Sequence, residues 1–233
     1  MATTAMCTSF KVELLQGGHC FNATLSGVSA TGVSTQFTLT AITSTAGISV
    51  GMAVTGTNVA AGAVVASVDS ATQVTLSKAH TGAVSSVTFT ADVFKILLIK
   101  TAPTRTFNET QTNIGTPGTG SPTATNVGTD EASGTGYTSG GVTLTNVAPS
   151  APGSPVTTAT TSFSPNPSWT TATFSTTAAI IYNSSTRQGA AATPLNGRSV
   201  SVHDFGGTQT VTAGTFTLLM PTNDGTNAIL RIA

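Results

Sequence analysis

Charge is what this chain has least of. Only 7% of its 233 residues are Asp, Glu, Lys or Arg, against roughly a quarter in ordinary soluble domains, and eight basic side chains cancel eight acidic ones. The cations are scattered from Lys11 to Arg231 and form no basic patch that would release counterions from a phosphate backbone, so nucleic acid is not an expected partner. A net charge of zero also removes the usual electrostatic defence against self-association. Such a surface suits packing against other subunits.

Long apolar runs are missing as well. Ile96-Leu97-Leu98-Ile99, bounded by Lys95 and Lys100, falls far short of the ~20 residues that cross a bilayer, and no membrane span is expected. The start, Met1 to Cys7, lacks a positive region and an apolar core, so no secretory signal is read. Cys7 and Cys20 are the only cysteines; their spacing fits no zinc pattern, and free thiols in a reducing cytoplasm are expected over a bridge. His19, His80 and His203 sit in separate segments with no ligand spacing. Aromatic residues total 6%, thin for a sugar-stacking surface, and Trp169, Phe174, Tyr182, Phe205 and Phe216 are expected to pack in the core.

Catalytic constellations are equally scarce. The adjacent acids Asp130 and Glu131 lie beside a glycine-rich turn, and an exposed turn explains them without the tuned carboxylates of a glycosidase. His203 and Asp204 are neighbours in a strand and point to opposite faces, which breaks any triad. Gly115 to Gly120 and Gly134 to Gly141 lack the Lys-Ser/Thr ending of a phosphate-cradling loop and read as turns. No calcium loop appears, and the sequons at Asn22, Asn108 and Asn183 are coincidences of a Thr-rich chain. No catalytic, cofactor-binding or metal-binding residue is assigned, no cofactor is implied, and the chain is read as a non-enzyme.

What is present is threonine, about a fifth of the chain, whose β-branch favours extended backbone and whose hydroxyl wets an exposed face. Gln36–Thr40, Thr72–Ser77 and Ser85–Thr90 alternate apolar with polar as half-buried strands do, and Trp169–Phe174, Ala179–Asn183, Val200–Gly206 and Gly214–Leu219 read as further strands. One helix is expected between Thr4 and Gly18, where Met6, Phe10 and Leu14 recur every four residues with Cys7, Lys11 and Glu13 on other faces. Thr3 or Thr4 caps its start and Gly17-Gly18 ends it. Its stripe lies on a sheet or grips a neighbouring subunit.

Residues 103–130, with Pro103, Pro117 and Pro122 and few apolar side chains, read as a long loop or arm. A second Pro-rich stretch runs through Pro149, Pro152, Pro155, Pro165 and Pro167 and marks edges and turns before strands resume at Trp169. Asn223-Asp224-Gly225 then turns into a last strand, Ala228–Ala233. The fold expected is mainly β: a β-sandwich-like parent domain with one N-terminal helix, plus a small all-β module. The length is ample for a sizeable core without a metal or disulfide staple.

Glu131–Val147, Thr173–Asn183 and Gly214–Ala233, within the wider spans 5–21 and 92–233, resemble a family of tailed-bacteriophage virion structural proteins, small head-decoration or tail-associated components. Gly47–Gly56 is similar to modules of phage surface proteins. Phe10–Phe21 and Val93–Ile99 look adjacent in relatives that lack the intervening block, which implies a discontinuous parent domain, 1–21 and 92–233, and an inserted module, 22–91, projecting outward. The resemblance implies a cement protein in the virion, assembled in the host cytoplasm, that binds the outer head surface and bridges capsid subunits. Partners would be the major capsid protein or other virion proteins, with copies in a homo-oligomer, a trimer at a shell three-fold. At ~25 cal/mol per Å2 of apolar surface, modest contacts repeated over a shell would oppose rupture. The alternative is an adhesion, fibre or neck/tail role in which the 22–91 module touches the host.

Overall fold

The computed structural model describes residues 2–153, 157–187 and 194–233; Pro155 of the Pro-rich stretch lies outside them. The chain opens with a short strand, β1 (Ala5–Met6), and a helix, α1 (Thr8–Leu15). Six strands follow: β2 (Leu25–Gly32), β3 (Thr38–Thr40), β4 (Ala53–Thr55), β5 (Ala63–Ser70), β6 (Gln73–Leu76) and β7 (Val84–Thr90). Then come β8 (Phe94–Lys100), β9 (Val142–Leu144), β10 (Asn146–Ser150), β11 (Ala159–Phe163), β12 (Ser168–Asn183), β13 (Arg198–Thr217) and β14 (Leu230–Ile232). The fold is mainly β with one α-helix among the described residues, and it divides into two sheets and a closed barrel.

The larger sheet has the order β1-β13-β12-β8-β9. At its centre β8 is apolar at consecutive positions because it is covered on both faces: Phe94 and Ile96 to Ile99 are all buried, worth about 1.5–3 kcal/mol per side chain. Its partner β12 alternates along its first half apart from a bulge at Thr170-Thr171 and is buried at every position from Ala178 to Asn183, where it runs in register with β8. The smaller sheet, order β10-β11-β14, packs on the larger one through Phe163, whose ring centroid lies 5.5 Å from that of Phe94. Phe21 stacks on Phe94 at 4.4 Å, and Phe10 of α1 closes the same apolar cluster. The arrangement is sandwich-like.

The barrel runs β2-β3-β6-β5-β4-β7 and closes by antiparallel pairing of β2 with β7. Closure leaves it no free edge. It has a core of its own, with Leu39, Met52, Val54, Val74, Leu76 and Phe89 buried inside. Entry and exit meet at a narrow neck: the Asp92 N–H donates to Cys20 O at 3.0 Å, and the Cys20 N–H donates to an Asp92 carboxylate oxygen at 2.9 Å. Asn146 straps the neck from β10, donating to Asn22 O at 3.2 Å and Asp92 O at 3.0 Å.

Four sequence expectations need correction. The helix is shorter than Thr4 to Gly18: Ala5 and Met6 pair with β13, Cys7 is the N-cap without a side-chain cap, and Cys7 and Glu13 are buried. Its end is as expected, since the Gly17 N–H reaches Leu14 O and the Gly18 N–H reaches Glu13 O with Gly17 at φ +71, a Schellman closure. Secondly, residues 103–130 are not an arm. Phe107, Ile114 and Val127 lie in the main core, and the Asn126 side chain bonds the backbone at Thr116, Thr119, Ser121 and Gly128.

Thirdly, the Pro-rich stretch holds strands before Trp169: β10, which accommodates Pro149 because it is an edge, and β11. Finally, the separate strand readings on either side of Thr176 and of residues 207–213 are continuous in the long pair β12 and β13. Bulges at those points break the alternation that sequence reading depends on.

Candidate functional site

The densest set of ionisable side chains lies at the neck. Glu13, at the end of α1, pairs with Arg198 and lies 2.9 Å from His19 Nε2. Asn183 Nδ2 donates to His19 Nδ1 at 3.0 Å and to Asp92 Oδ2 at 2.9 Å. His19 thus carries its proton on Nε2 and donates it to Glu13. Arg187 grips Asp92 in two-pronged fashion, Nη2 to Oδ2 being 2.8 Å, and donates to Gly18 O at 3.2 Å. Burial pushes the Glu13 carboxyl up, but the His19 hydrogen bond and the Arg198 charge outweigh it and hold it below the usual value. The carboxylate oxygens face partners within the chain, which is the chemistry of a clamp.

The acidic pair is buried, against the expectation of an exposed turn. Asp130 accepts the Thr104 N–H at 2.9 Å and the Arg105 N–H at 3.0 Å and pairs with Lys100 Nζ at 3.0 Å. Burial raises its carboxyl, and these donors overcome that and leave it below the ordinary range. Glu131 accepts from Tyr137 Oη at 3.0 Å, Ser139 Oγ at 2.6 Å and the Gly140 N–H at 2.6 Å. The two carboxylates bind different donors and share no scissile bond. The turn that Glu131 organises brings Tyr137 against Trp169 and Phe174. Trp169, Phe174 and Tyr182 are buried, and Phe205 and Phe216 pack on the same core.

The sequence singled out no serine beside His203, yet the structure places Ser201 Oγ 2.8 Å from His203 Nε2. The i, i+2 spacing on one strand face is the signal that could have found it. Burial lowers the His203 pKa to about 4. Asp204 is exposed and its N–H goes to Thr4 Oγ1, so no carboxylate orients the ring. His80 is in the barrel, with Nε2 3.0 Å from Thr38 O. Among the described residues no group of three or more His, Cys, Asp or Glu is placed to hold a metal, and no helix is long and apolar enough to cross a membrane. Both cysteines are free and buried, and Asn183 is fully buried, closing its sequon to sugar.

The surface offers more than the interior. β1 covers the outer edge of β13 only at Ser201 and Val202, and among the described residues no strand pairs that edge from Phe205 to Thr217. No charged residue or proline occurs in this span. Bulges break it instead: Phe205 to Thr208 lie opposite the single Thr177, and Thr212-Ala213 opposite Thr173, with Ala213 at φ +48. Such bulges limit open-ended sheet growth. One face of the ribbon carries hydroxyls, with Ser175 Oγ 2.9 Å from Thr210 Oγ1. On the barrel, β2 leaves the neck at Leu25 and β7 returns from Val84, which puts the turn after Gly32 at the far end. There Val33 and Phe37 are 62% and 48% exposed.

Comparison of the chain with family models, curated proteins and solved structures gives no match in any of the three.

Proposed function

We propose that the chain is a structural component of a tailed-bacteriophage virion, a capsid decoration protein that binds the outer head surface and bridges neighbouring capsid subunits. The observation that carries this reading is the uncharged, hydroxyl-rich outer part of the β12–β13 ribbon, Ser168 to Thr177 with Phe205 to Thr217, whose outer edge no strand pairs among the described residues. Covering it with protein strips water from neutral groups only, which avoids the desolvation cost of ions, and its free backbone groups accept a strand from a partner. The spans that resemble phage virion proteins support the reading, since Thr173 to Asn183 lies in β12 and Gly214 to Ala233 begins in β13, so the resemblance includes part of the ribbon itself. Copies meet in a homo-oligomer, a trimer at a shell three-fold.

An adhesion role is the second reading, favoured by the exposed Val33 and Phe37 at the barrel end farthest from the neck. Excising residues 22–91 separates the two. A decoration protein so trimmed still binds the particle, whereas an adhesin so trimmed leaves phage that assemble and fail to adsorb. Particles lacking the whole chain that package DNA and withstand heat like the parent would refute decoration.

A further inference from the structure

A groove of about 320 Å3 runs between α1 and the smaller sheet. Leu14 and Leu15 of the helix and Leu230 and Ile232 of β14 line it, together with Phe21 and Pro149. Leu15 is 88% exposed and Ile232 64%, and Val12, one turn before Leu15, adds to the same exposed apolar zone. In a chain whose surface is otherwise hydroxyl-rich, this concentration calls for a cover.

The charge around the groove is of one sign. Among the described residues Lys11 and Arg231 are the only charged ones that line it, and no acid does. Among the described residues Lys11 makes no ion pair, and Arg231 donates to Thr226 O. At Met6 and Arg231 the groove adjoins a second cleft of about 580 Å3, whose mixed lining sets Thr4, Thr158, Ser201 and His203 beside Ala228 and Ile229. The combined trough is apolar at one end, holds Arg231 where the two clefts meet and bears hydroxyls among apolar side chains at the other.

We propose that this trough docks an extended segment of a partner protein carrying two adjacent apolar side chains followed by a carboxylate, with the apolar pair between α1 and β14 and the carboxylate between Lys11 and Arg231. Lone acyl chains fit the apolar half but leave the hydroxyl-lined half unused; a polypeptide, with side chains and backbone amides, fills both. The inference rests on the docking role above for the identity of its partner and on the groove alone for its chemistry.

The test uses the isolated full-length protein and two synthetic hexapeptides, acetyl-Ser-Leu-Ile-Glu-Ser-Ser-amide and its lysine counterpart, titrated calorimetrically. Expected are saturable binding of the glutamate peptide with Kd near or below about 1 mM, none of the lysine peptide, and a loss of about tenfold or more on Lys11→Glu with Arg231→Glu. Leu15→Asp, at a side chain already in solvent, removes binding while thermal unfolding followed by Trp169 fluorescence stays unchanged. The proposal is overturned if neither peptide saturates, if both bind alike, or if the charge reversal has no effect. It is also overturned if phosphatidylglycerol vesicles bind in place of the peptide, or if the groove serves a self-dimer that Leu15→Asp dissociates. Particle experiments decide the virion reading separately, so either can fail without the other.

Discussion

Replacing Asp92 by alanine should do more damage than any other single change at the neck. Its side chain is fully buried and collects the Cys20 N–H, Asn183 Nδ2 and two nitrogens of Arg187. Alanine leaves a largely buried guanidinium facing the vacated space, and removing one member of a buried pair costs about 3–5 kcal/mol. For a chain of this size that is a drop in Tm of about 6–20 °C, read by the fluorescence of Trp169. Adding Arg187→Met to Asp92→Ala should recover part of the loss, because the buried guanidinium that has lost its Asp92 carboxylate then disappears while the Cys20 N–H stays unpaired. A cost under about 1 kcal/mol for Asp92→Ala, or a double variant worse than the single, would refute the clamp.

Gly141→Ala should destabilise by about 2 kcal/mol or more in urea titrations, since Gly141 has φ +69 and a Cβ there would lie 1.8 Å from Ile96 O; an unchanged midpoint would mean the turn relaxes freely. His203, with its folded pKa lowered to about 4 by burial, binds a proton in the unfolded chain first. Its contribution is therefore complete above about pH 6.5 and declines as pH falls toward 4, so His203→Gln should flatten the urea midpoint across that window. Glu13 and Asp130, both held below their ordinary values, add a further fall only below about pH 4.5, and Glu13→Gln should make that fall shallower. Burial pushes the Cys7 thiol up to about 12, and Cys20 is buried as well, so at pH 8 both should resist a disulfide-exchange reagent until the protein is unfolded.

Local pattern carried much of the fold. The apolar run of β8 between two lysines, the strand signal from Trp169 to Phe174 and the Gly17-Gly18 helix stop are each written within a few residues, and each is where the sequence puts it. What escaped has long-range causes. Glu13 reads as a surface residue until His19 and Arg198 arrive beside it, and Arg198 is distant in the chain. The 103–130 segment has no period because side-chain bonds from Asn126 and Asp130 organise it, a kind of order that alternation cannot reveal. The Ser201–His203 contact was within reach at i, i+2 spacing. Surface character was legible from composition alone, whereas the groove beside α1 required the C-terminal strand to be placed next to the helix.

The neck has a practical corollary. Because Cys20 and Asp92 touch, the barrel's entry and exit are separated by about the 5 Å between paired strands, and the parent sheet closes its own core without barrel residues. The junction is thus a natural graft port: a foreign domain whose two ends lie equally close should exchange for the barrel there, provided Asp92 and Asn146 remain to tie the splice.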